Sequence, residues 1–167
     1  YKGELPAEKK AVIISVPHTS NWDFFWGELA FLSQGIPAFI LMKKEFFFFP
    51  LGMILRALNV IPVDRGNKDS QLVEQMITEF KQRDSMYLCI TPEGSRKKRK
   101  KWKKGFLVIA KAAGVPVYLG RIDYKGKYCE VGPLFYPTED VDADLAYIMS
   151  TYHDANPKYP ENFSNGN

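Results

Sequence analysis

A histidine and an aspartate five positions apart, in Val16-Pro17-His18-Thr19-Ser20-Asn21-Trp22-Asp23, form the first pair in this chain that could do chemistry. A neutral imidazole is the natural general base near pH 7, because its ordinary pKa lies close by. A carboxylate on the ring's other nitrogen would fix the tautomer and stabilise the imidazolium formed when a proton is taken. The sequence has no Gly-x-Ser-x-Gly elbow, so that proton would come from a bound alcohol and not from an enzyme serine. By itself the spacing is a weak motif, since a histidine behind a strand can equally serve by bonding a backbone carbonyl.

Three more segments carry groups suited to the same site. Asp64-Arg65-Gly66-Asn67 sets a guanidinium on a tight turn, a planar fork that suits a phosphate; its plain alternative is a surface ion pair. Pro92-Glu93-Gly94-Ser95-Arg96 offers an acid able to accept from substrate hydroxyls, a glycine that lets a ligand approach the backbone, a hydroxyl and a second guanidinium. The basic run over residues 96–104 is a candidate anion site, and Lys97, Lys98, Arg99, Lys100 and Lys101 are its candidate contacts to an acyl donor or a membrane. Such runs more often form solvated loops.

The surrounding elements are those needed to bring these loops together. Residues 11–16 are apolar and β-branched and read as a buried strand ending in proline. Asn21 and the amphipathic stripe Trp22, Phe25, Trp26, Leu29 and Leu32 read as a helix starting at once, so His18 falls on a strand-to-helix turn. Further strands are expected over 37–42, 60–63, 86–90, 115–119 and 128–131. Helices are expected over 53–58, from the apolar positions 72, 73, 76, 77 and 80, over 105–113 with Gly114 as its stop, and over 140–152. Alternating strands and helices imply an αβα sandwich in which polar loops gather near the strands' carboxyl ends. A single domain spans 1–167, with a polar tail from about 154. Phe46, Phe47, Phe48 and Phe49 cannot all face one side of a regular element. Burial by neighbouring segments is expected for most, with an acyl-chain wall or a membrane dock as the alternative.

Charge is concentrated. The chain carries 23 basic and 19 acidic residues, a net +4, yet eight of the basic residues fall within 96–104 and leave 15 against 19 elsewhere. That balance argues against a general nucleic-acid surface, and no nucleic-acid fold signature appears. A non-catalytic module that docks anionic lipid or nucleic acid through the run remains the competing reading. Cys89 and Cys129 have no metal spacing, and a buried free thiol at Cys89 fits a reducing compartment. Two histidines make a poor metal set, so no metal is expected. The polar residues 1–10 do not read as a signal peptide, and the longest apolar run, 46–55, falls far short of a membrane span.

Taken in order, His-x4-Asp, Pro-Val-Asp-Arg-Gly, Pro-Glu-Gly-Ser-Arg, Trp-Lys-Lys-Gly and Gly-Val-Pro-Val resemble the glycerolipid acyltransferase superfamily, which includes lysophosphatidic acid and glycerol-3-phosphate acyltransferases. The resemblance covers roughly residues 11–135. It implies a glycerol-3-phosphate acyltransferase-like α/β fold with a mixed, mostly parallel sheet. It also implies transfer of a fatty acyl group from acyl-CoA or acyl-carrier protein to a lipid hydroxyl, with no further cofactor. His18 matches the family's general base and Asp23 its partner; Arg65, Glu93, Gly94, Ser95 and Arg96 match the acceptor-binding blocks. Pro17 stands where many members have Asn, and Thr91 where Phe commonly precedes Pro-Glu-Gly. The expected partners are a lipid acceptor, an acyl donor, an acidic carrier protein and the cytoplasmic membrane face, approached peripherally.

Overall fold

The computed structural model describes residues 1–3, 6–64 and 69–166. Its centre is β1 (Lys10–Val16), a strand whose Ala11, Val12, Ile13, Ile14 and Val16 are all buried. β-branched residues on both faces suit a parallel strand covered on two sides. β1 pairs in parallel with β4 (Met86–Ile90) on one side and β5 (Val117–Asp123) on the other. β2 (Ala38–Lys43) and β3 (Val60–Val63) continue the parallel sheet beyond β4. β6 (Tyr128–Glu130) and β7 (Leu134–Phe135) both run antiparallel to β5, so the order is β3-β2-β4-β1-β5-β6 with β7 also on β5.

The crossover helices are α1 (Trp22–Ser33), α2 (Leu51–Ala57), α3 (Asp69–Gln82) and α4 (Gly105–Ala113). Connections to the next parallel strand are right-handed, so the reversal of direction after β3 puts α1 and α2 on one face and α3 and α4 on the other. The final helix, α5 (Val141–Ser150), joins the α3–α4 face. Asp140 caps it by accepting from the backbone N–H groups of Asp142 and Ala143. The larger core lies on this side, where Val12, Ile14 and Leu88 meet Met76, Phe106, Leu107 and Ile148. A smaller one lies under α1, where Ala11, Ile13 and Cys89 meet Phe31 and Ile36. This is a mixed, mostly parallel α/β sandwich, as the motif order implies.

The expected elements differ from the observed ones where backbone bonding overrides pattern. The strand expected from 115 begins at Val117, because the Val115 N–H returns to Ala110 O to close α4 beside Gly114, whose φ of 65° is the left-handed stop. The short β7 lies in a stretch the pattern leaves unassigned. Asn21 precedes α1 but makes no side-chain cap; Ser20 Oγ accepts from the Trp22 N–H instead. The residues from 154 are polar in composition and fold back onto the domain. Trp102 Nε1 donates to Ser164 O at 2.9 Å, and the Tyr159 N–H donates to Thr19 Oγ1 at 3.3 Å.

The largest departure concerns apolar side chains. An amphipathic helix normally turns its apolar stripe to the core, yet Trp22, Phe25, Trp26, Leu29 and Leu32 of α1 are all exposed, while Asp23, Glu28 and Phe31 are buried. Burial fails for most of the phenylalanine run as well. Phe46, Phe48 and Phe49 are exposed and Phe47 is half-buried, since the helix they lead into, α2, packs at the edge strand β3.

Candidate active site

Strand register brings the site together. Ile14 stands opposite Ile90 in the β1–β4 pair, so the loops carrying His18 and Glu93 leave the same sheet edge side by side. On the other flank Val16 stands opposite Arg121, which puts Tyr124, just past β5, beside the same turn. Three loops from neighbouring strands therefore converge at the carboxyl edge, where ligands bind in open α/β sheets.

The turn after β1 is built around two carboxylates. Asp23 Oδ2 accepts from the backbone N–H groups of Thr19 and Ser20, each at 2.8 Å, and Oδ1 accepts from the Tyr124 hydroxyl at 2.5 Å. The buried His18 Nδ1 sits 3.2 Å from Asp23 Oδ2, close enough for a charge pair but out of line for a well-directed hydrogen bond. Such contacts commonly tighten only once substrate is bound. Burial pushes the Asp23 carboxyl up, but the close His18 imidazole and the bonds from Tyr124 and Ser20 outweigh it and hold it below its ordinary value. Asp23 is thus an ionised carboxylate at neutral pH. With Nδ1 turned to Asp23, Nε2 is the nitrogen left to receive a proton from a ligand.

Glu93 lies beneath this turn, only 5% exposed, and both its oxygens accept from the His18 backbone N–H at 2.9–3.0 Å. Burial pushes its pKa up to about 8; the His18 N–H opposes this and the Asp23 charge adds to it. Glu93 thus braces the backbone that carries the imidazole. The N–H groups of His18, Thr19 and Ser20 are all committed to carboxyl groups of the protein and face no ligand.

An open cleft of ≈ 630 Å³ adjoins the turn. Thr19, Ser20, Asn21 and Trp22 line one wall; Ser95, Arg96 and Lys97 form another; Tyr159, Glu161 and Asn162 of the returning C-terminal segment close the third. Gly94, at φ 64°, turns the chain into the second wall, and Ser95 Oγ accepts from the Lys97 N–H. Lys98, Arg99, Lys100 and Lys101 are exposed beyond the cleft, and the buried Trp102 anchors the end of their loop. Phe46, Phe47 and Phe48 do not line it, and Arg65 lies outside the described residues. A void of ≈ 20 Å³ under α1, beside Ile13, Gly27 and Phe31, is water-sized and too small for an acyl chain. Among the described residues no three His, Cys, Asp or Glu side chains gather as a metal site would require.

The family model described as Acyltransferase matches residues 1–119, a stretch that includes β1, α1, β4 and α4 with their loops. The chain belongs to the glycerolipid acyltransferase superfamily. No curated protein and no solved structure gives a significant match. The match makes this an acyltransferase domain, and it ends before Tyr124 and the C-terminal wall of the cleft. Motif reading also misses Tyr124, Tyr159 and Asn162. Tyr124 directly follows β5 only because that strand runs on to Asp123, past the position 119 where its apolar pattern ends.

Proposed function

We propose that this domain transfers a fatty acyl group from a thioester donor, acyl-CoA or acyl-carrier protein, to the hydroxyl of a lysophospholipid or related lipid. The observation that carries this reading is the buried Asp23 carboxyl 3.2 Å behind His18 Nδ1, on a turn whose next residues, Thr19 and Ser20, line an open cleft with Arg96 and Lys97. His18 Nε2 takes the proton of the acceptor hydroxyl as its oxygen attacks the thioester carbonyl carbon. The resulting imidazolium is stabilised by Asp23. When the tetrahedral intermediate collapses, the carbon–sulfur bond breaks and the imidazolium returns the proton to the leaving thiolate. Both substrates are bound together, so alignment within the cleft supplies much of the acceleration.

Arg96 and Lys97 offer positive charge where an acceptor phosphate and the developing oxyanion would sit, the role the committed N–H groups of the turn leave open. Arg65 is assigned the acceptor phosphate on its motif alone. Glu93, Gly94 and Ser95 shape the acceptor side, with Glu93 acting through the His18 backbone. The exposed Lys98, Arg99, Lys100 and Lys101 suit the phosphates of CoA or the acidic surface of a carrier protein. The free thiols Cys89 and Cys129 fit a cytoplasmic setting. Purified protein incubated with labelled acyl-CoA or acyl-carrier protein, against a panel of lysophospholipids and amino-lipids, should yield an acylated lipid identifiable by mass. Thioester hydrolysis alone across the whole panel would overturn the assignment.

A further inference from the structure

The face of the sheet covered by α1 and α2 is turned inside out relative to the other. On the α3–α5 face large apolar side chains point inward, and Val108 and Tyr147 are the exposed exceptions on its helices among the residues whose burial is described. On the opposite face the exposed residues of α1 recur at the spacing 22, 25, 26, 29 and 32, one continuous stripe along the helix. Phe46, Phe48, Phe49, Met53 and Ile54 of the segment leading through α2, which packs at the β3 end of the sheet, are exposed too, Phe49 by 84%. Right-handed crossovers put both groups on the same side of the sheet. Ten of the sixteen large hydrophobics exposed among the described residues thus share one side of the sheet, which is not the scatter of single exposed residues that needs no explanation.

The groups around this layer identify its occupant. Lys158 Nζ lies 5.1 Å over the Trp22 ring, and Arg56 lies 5.7 Å over Phe47. Trp22 also lines the cleft together with Arg96 and Lys97, so the apolar stripe begins where the cationic wall ends. Lys43 and Lys44 precede the phenylalanine run, with Lys44 paired to Asp64 and Glu45 beside it. Tryptophans and phenylalanines at the centre with lysines and arginines at the rim match the layered polarity of an anionic bilayer surface. A second copy of this chain is a poorer fit, because a two-fold contact through this face would bring both cationic rims together. A single acyl chain could cover only part of two helices.

We infer that the outer face of α1 and the 46–54 segment on the same side of the sheet dock on an anionic membrane, with the mouth of the cleft at the lipid surface. This goes beyond acyl transfer and does not depend on it. Docking orients the molecule so that a lipid headgroup enters past Trp22 toward Arg96 and Lys97, while its chains remain in the bilayer.

The test is sedimentation with vesicles of phosphatidylcholine containing 30% phosphatidylglycerol, alongside phosphatidylcholine alone, at low and high salt. Wild type should bind the anionic vesicles, and less so at high salt. The double variant Phe25→Glu, Leu29→Glu changes two exposed side chains and should weaken partitioning at least tenfold with its circular dichroism unchanged. If that variant unfolds, Leu29→Ser alone serves and should weaken binding severalfold. His18→Ala should bind vesicles as wild type does, which separates docking from catalysis. Failure of wild type to sediment, equal binding by the folded variants, or a stable dimer that the Glu substitutions dissociate would overturn the inference.

Discussion

Asp23 is held by three hydrogen bonds before His18 is counted, and the Tyr124 hydroxyl is the one that lies outside the turn itself. Tyr124→Phe therefore leaves the backbone of the turn intact while freeing one carboxylate oxygen. A bond to a charged acceptor contributes about 1.5 kcal/mol or more, so kcat should fall roughly tenfold with KM nearly unchanged, as steady-state kinetics would show. Glu93 makes a different prediction. A carboxyl whose pKa is higher in the folded state favours folding below the unfolded value, and that advantage is lost as pH rises through the folded value. With the unfolded value near 4.5 and the folded one about 8, wild-type stability should decline across that window, by up to about 1.4 kcal/mol per pH unit. Glu93→Gln keeps an acceptor for the His18 N–H and should flatten the slope, leaving the variant more stable than wild type at pH 8 in urea titrations. Asp23 acts with the opposite sign, but its lowered pKa confines that effect to acid. At this scale His18, Asp23 and Glu93 were legible because their types and order are a motif. That Glu93 bonds backbone and not ligand depends on its depth beneath the turn, which no linear spacing encodes.

At the scale of elements, α1 is a helix whose orientation contradicts its own pattern. Phe31 and Leu32 are adjacent in sequence, yet Phe31 is 7% exposed and Leu32 56%. Phe31→Ala should cost about 3 kcal/mol through the cavity it opens, whereas Leu32→Ala should change stability by less than about 0.5 kcal/mol. Chemical denaturation of the two variants measures both, and reversed costs would show that the stripe faces the core. The β–α alternation was legible from apolar runs, turn residues and the left-handed Gly114. The direction of α1 was not, because periodicity reports a face without saying what covers it. The layer is selected instead by what must be inside: Asp23 has to reach the turn, and Ile36 and Phe31 close the small core over Ile13.

Across the whole molecule, positive charge, cleft and apolar layer form one arrangement. The net +4 arises from residues 96–104, and the remaining 15 basic and 19 acidic residues leave the rest of the chain slightly acidic. Substituting Gln at Lys98, Arg99, Lys100 and Lys101, all outside the cleft, should raise KM for a soluble short-chain acyl-CoA severalfold and flatten its salt dependence, with kcat little changed. Charge segregation could be read by counting. The return of the polar C-terminal residues to form the third wall could not, since it rests on Trp102 reaching Ser164 and on Thr19 meeting Tyr159, contacts between residues far apart in the chain. The central claim, that one imidazole backed by Asp23 deprotonates the acceptor, is met most directly by kcat/KM of His18→Ala on an acyl-CoA and lysophospholipid pair that wild type uses. Removing a general base at this position should lower it by about a thousandfold with folding unchanged. A folded His18→Ala protein within tenfold of wild type would contradict the mechanism.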